Sequence, residues 1–128
     1  MDMLHKVQSK KSFEKAISDL KESLSNYKFG VLWELNFKDK LHEKGVDFDY
    51  DYVILEVCNP LQAKSVLEKN LDVGFFLPCK LVVYEQFGEV IIGMMKPKEF
   101  IRKFDDEELT VVAAQVEEDL ILAIENAK

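Results

Sequence analysis

Apolar residues fall into distinct periods along the chain. Phe13, Ala16, Ile17, Leu20 and Leu24 recur at the spacing of one helix face, and Ser12 precedes them as a cap. Before them, Leu4 to Val7 predicts a short strand. Val31, Trp33, Leu35 and Phe37 then alternate with Leu32, Glu34 and Asn36, which predicts a strand with one buried face and assigns Trp33 to the core. Asp39 to Lys44 reads as a helical turn stopped by Gly45. An extended approach, Asp47 to Tyr52, runs into a strand from Val53 that ends near Cys58. Asn59-Pro60 is a helix start, asparagine capping and proline losing no needed hydrogen bond. Ala63, Val66 and Leu67 give that helix its inward side, and it fades near Asn70.

Two strands follow, Lys80 to Gln86 and Glu89 to Met95. A two-residue loop would force Phe87 to positive φ, so a three-residue loop ending on Gly88 is expected. Pro97 to Phe104 reads as a helical turn. The last helix is opened by Asp105 and Glu108 at capping-box spacing. Its inward face is Leu109, Val112, Ala113, Val116, Leu120, Ala123 and Ile124.

This order predicts an α+β fold with a mainly antiparallel sheet of four or five strands and the first and last helices on one of its faces. Residues 1–128 read as a single domain with no linker. In the hairpin, Val82, Tyr84, Val90, Ile92 and Met94 form one alternation class. Leu81, Val83, Ile91 and Met95 form the other. Both are apolar, whereas an antiparallel sheet with a solvated face alternates. Helices cover one face; the other requires a partner subunit, a loop or a ligand. A homodimer is the expectation.

Composition narrows the function classes. The chain has 128 residues, 48% hydrophobic and 32% charged, with net charge −7 and a pI near 4.9. Such a balance argues against a nucleic-acid surface, which needs a basic stripe, and against anionic membranes. Residues 1–11 contain no signal-peptide core, and no stretch is long and apolar enough to span a bilayer. A cytoplasmic location is expected, where two cysteines serve as free thiols, ligands or a redox pair rather than a structural disulfide.

Cys58 and Cys79 are the main chemical candidates. Cys58 directly precedes a helix N-terminus, where free amides and the helix dipole favour a thiolate. Cys79 begins a later strand. Antiparallel pairing of the two strands would bring both thiols to one end of the sheet. The alternative is two buried cysteines acting as small hydrophobes. Asn59, Pro60 and Pro78 flank the thiols and are the candidate ligand-binding residues. His5 and His42 lack the spacing of a structural zinc site, and Asp47, Asp49 and Asp51 lack the pattern of a calcium loop. No metal site and no cofactor are assigned. Glu107, Glu108, Glu117, Glu118 and Asp119 read as the exposed face of the last helix.

The run Val57-Cys58-Asn59-Pro60, the helix with Ala63 and Leu67, Gly74, and Leu77-Pro78-Cys79 together resemble the bacterial and archaeal domain-of-unknown-function family 302. Val46-Asp47-Phe48 and the Phe13-to-Leu24 helix look similar too, so the likeness spans roughly Leu4 to Pro97. It implies a TATA-binding-protein-like β-α-β(4)-α fold, usually seen as a homodimer. One departure stands out: Lys96 occupies a position where the family commonly carries aspartate. The resemblance implies no activity. Three readings stay open: a homodimeric binding or structural module, a thiol-dependent redox or sulfur-handling protein with Cys58 reactive and Cys79 resolving, and a metal or small-ligand site built on both thiolates. Whether the protein is an enzyme is left open, as is the identity of any small-molecule ligand.

Overall fold

The computed structural model of the chain describes residues 2–128. Five strands form one antiparallel sheet: β1 (Leu4–Ser9), β2 (Gly30–Asn36), β3 (Tyr52–Cys58), β4 (Cys79–Gln86) and β5 (Glu89–Met95). Their spatial order is β1-β5-β4-β3-β2. The helices are α1 (Phe13–Asn26), α2 (Phe37–Glu43), α3 (Pro60–Lys69), α4 (Pro97–Ile101) and α5 (Glu107–Ala127). A 3-10 turn, Leu71–Phe76, follows α3. Strand and long-helix order match the expected β-α-β(4)-α arrangement.

Local chemistry explains most boundaries. The Lys15 amide donates to Ser12 Oγ at 3.2 Å and opens α1. Gly45, at φ 77°, closes α2, with its amide donating to the His42 carbonyl. At α5 the cap is one residue later than the capping-box spacing implied. Asp106 accepts from the Glu108 and Leu109 amides, while Asp105 sits in the left-handed region at φ 51°. Only after that left-handed residue does the chain direction suit a helix.

One sheet face carries the main core. Val53, Leu55 and Val57 of β3 lie beside Leu81 and Val83 of β4 and Val90, Ile92 and Met94 of β5, all buried. Leu20 and Leu24 of α1 and Leu120, Ala123 and Ile124 of α5 pack into the same cluster, so both helices cover one face as expected. Ser23 Oγ donates to the Ala123 carbonyl at 2.7 Å and satisfies the buried hydroxyl between them. A second cluster joins Val66, Val73, Ile101, Leu109 and Ala113 beside the end of the sheet.

The hairpin departs from expectation in two linked ways. Gln86 pairs with Glu89, leaving a two-residue loop in which Phe87 (φ 54°) and Gly88 (φ 78°) both take positive φ. That twist matches the strands, and the resulting gain outweighs the strain at Phe87. The register also changes the faces. Leu81 and Val83 share the covered face with Val90, Ile92 and Met94, while Val82, Tyr84, Ile91 and Met95 lie on the other. Two apolar faces remain, differently composed.

Trp33 is not a core residue; it is 49% exposed. The register slips between Val31 and Trp33, so Val31 packs on the core whereas Trp33 turns to the uncovered face opposite Glu56. A single inserted residue reverses the alternation. Among the described residues, no helix is long and apolar enough to cross a membrane.

Candidate ligand-binding cavity

Where β3 ends and β4 begins, the core continues into an open cavity of about 340 Å³. Val57, Cys58 and Cys79 form its sheet side, and Gln62, Ala63, Val66 and Leu67 of α3 form one wall. Leu77, Pro78, Pro97, Phe100 and Ile101 also line it, together with Ala113 and Val116 of α5. No lining residue carries a formal charge. The cavity exists because α3 leaves the sheet at Asn59 and reaches only the second hydrophobic cluster, through Val66.

Of the residues singled out in the sequence, Cys58, Asn59, Pro78 and Cys79 line this cavity, whereas Pro60 is exposed and outside the lining. Both cysteines are free thiols. Cys79 pairs with Val57 across the strands, one residue from Cys58. The expected thiolate at Cys58 is not what the site favours. Burial pushes both thiols up, and Cys79, with Cys58 adding a repulsive contribution, rises to about 11. The cap explains why the helix terminus does not compensate. Asn59 Oδ1 accepts from the Gln62 amide at 3.3 Å, the Asn59 carbonyl accepts from the Ala63 amide, and Pro60 has no N–H. The first-turn donors are largely consumed before they reach the sulfur.

Gln62 is the functional candidate that sequence reading missed. Its Nε2 donates to Asp119 Oδ2 at 3.4 Å, while its Oε1 is buried without a hydrogen-bond partner. The available signal was position: Gln62 stands one turn before Val66, on the inward side of α3. Asp119 correspondingly leaves the solvated face assigned to it, as does Glu117, which accepts from the Lys98 amide at 3.1 Å. The histidines lie apart from the thiols. His5 meets Glu125 at 3.2 Å, and His42 is exposed. Among the described residues, no three His, Cys, Asp or Glu side chains are grouped to hold a metal ion.

The chain matches, over residues 5–127, the family described as Domain of unknown function DUF302. It belongs to that family. A crystal structure of the uncharacterized conserved protein DUF302 from Bacillus stearothermophilus is similar at 42% sequence identity and TM-score 0.95, covering 100% of each chain. No curated protein matches the sequence. Lys96 is the N-cap of α4 but makes no side-chain capping bond, and the Lys98 amide in the first turn donates to Glu117 of α5 at 3.1 Å.

Proposed function

We propose that this DUF302 protein is a homodimeric binding module that holds a small, mainly apolar molecule in the cavity between α3 and α5. The observation that carries the reading is the cavity itself. Its volume lies within the range of small-molecule sites, and its walls are apolar with a few polar groups. Neutral thiols at its sheet end suit packing against a ligand better than nucleophilic attack. The thiol-dependent redox reading is therefore the weaker one.

The dimer rests on the sheet face that α1 and α5 leave open, of which Phe37 and Phe48 cover only the end at Tyr52. Leu4, Val82, Tyr84 and Ile91 are half-buried there and Met95 is exposed, around a concavity of about 330 Å³, with Trp33 exposed on the same face at edge strand β2. A patch of that kind on a monomer marks an interaction surface. The same face carries Lys6 and Lys80 together with Glu56, so its charges do not all repel across a two-fold axis. Net charge −7 supports a partner other than nucleic acid or membrane, and free thiols suit the cytoplasm.

Titrating toluene into isotopically labelled protein tests the cavity. Amide shifts are expected at Ala63, Val66, Gly74 and Cys79, and they should vanish in Ala63→Phe, which fills the space. Shifts confined to the uncovered sheet face, or none at saturation with either toluene or phenol, would overturn the reading.

A further inference from the structure

We infer that the ligand of this cavity is an uncharged, largely apolar molecule carrying one hydrogen-bond donor, a hydroxyl or N–H, which pairs with Gln62 Oε1. The inference rests on the proposed binding role of the same cavity and names the chemistry of what it takes. The first observation is the orphaned oxygen. A buried carbonyl without a partner is destabilising, and native structures rarely leave one without reason. Nε2 makes a long contact of 3.4 Å with Asp119, which in turn accepts from Gln115 Nε2 at 2.9 Å. A carboxylate on the amide nitrogen polarises the amide and strengthens its oxygen as an acceptor. The terminal torsion of glutamine is broad, so rotation of the amide turns Oε1 from its shielded position toward a donor in the cavity.

The second observation is charge. No lining residue is ionised, so a charge carried into the apolar interior of the cavity would lack a counterion, at a penalty that disfavours it. The thiols are held neutral and supply no counter-charge. Apolar walls then take the body of the ligand, and Gln62 selects for the donor. A site built around a hydrogen bond discriminates strongly against an analogue that lacks it.

Phenol, toluene and benzoate form a matched set for the test, titrated at neutral pH with binding read from amide shifts, including those of the Gln62 side-chain NH2. Phenol should bind at least tenfold more tightly than toluene, and benzoate should not bind. In Gln62→Met, phenol should lose its advantage while toluene binds as well or better. Toluene binding as tightly as phenol to the wild type overturns the donor inference and leaves the cavity a ligand site; this is also the result if water satisfies Oε1. Benzoate binding overturns the claim of an uncharged ligand. Failure of both phenol and toluene to shift the cavity amides overturns the binding role and this inference together. The wild-type comparison decides the matter even where the variant does not fold.

Discussion

Cys79 shows how burial governs a side chain whose sequence context suggests reactivity. Its thiol titrates near 11 in the folded protein, against an ordinary value of 9.0. Because the folded value is raised, the unfolded chain gives up the proton first as pH rises. The contribution is fully present below about pH 9 and is lost between there and about 11, amounting to as much as about 3 kcal/mol. Urea midpoints measured from pH 8 to 11 should fall more steeply in the wild type than in Cys79→Ala. Equal slopes would show that the thiol is solvated. Cys58 is shifted by burial alone and has no partner stabilising its anion. Alkylation near pH 7 should be slow at both cysteines and slowest at Cys79, followed by mass spectrometry of the two peptides. Neither outcome was readable from the Cys-Asn-Pro run. The motif correctly indicates a helix start, but whether the first-turn amides face a sulfur or the cap itself depends on side-chain geometry.

At the scale of elements, caps and turns were legible where one residue type has one use. Ser12, Gly45 and Asn59 act where the sequence places them, because each satisfies backbone groups within a few residues of itself. Asn59→Ala should cost about 1 kcal/mol in a denaturation experiment, through loss of the bond from the Gln62 amide. The hairpin misled because two local preferences conflict: Phe disfavours positive φ, yet the strand twist demands it. Phe87 is 92% exposed, so Phe87→Asn removes no packing. It should raise stability by about 1 kcal/mol, read as a higher melting temperature. An unchanged or lower value would mean that the loop is not strained at that residue. Gly93 is the opposite case. A Cβ there would sit 2.9 Å from the His5 carbonyl oxygen, on the backbone of the neighbouring strand. Gly93→Ala should therefore destabilise by about 1–3 kcal/mol in chemical unfolding.

At the scale of the whole molecule, the sheet presents one face to α1 and α5 and leaves the other with Val82, Ile91, Met95 and Trp33 uncovered by long helices. Ile91→Lys places a charge in the middle of that face without touching the core. Light scattering should report a dimer for the wild type at micromolar concentration and a monomer for the variant, with cavity binding of toluene retained. A wild-type monomer at high micromolar concentration would rule out the assembly proposed for this face.

The sequence by itself determined the element order, the caps of α1 and α3, the pairing of α1 with α5 on one face and the family to which the chain belongs. Each rests on periodicity or on chemistry within a few residues, which a linear pattern records directly. Only the tertiary structure decided which hairpin residues share a face, because register depends on the loop length actually adopted. It also moved Trp33 out of the core, since one bulged residue reverses a two-residue period. The cavity belongs to this second class. Its walls come from β3, α3, β4, α4 and α5, far apart in the chain, and the burial of Gln62 Oε1 and of both thiols arises only where those elements meet.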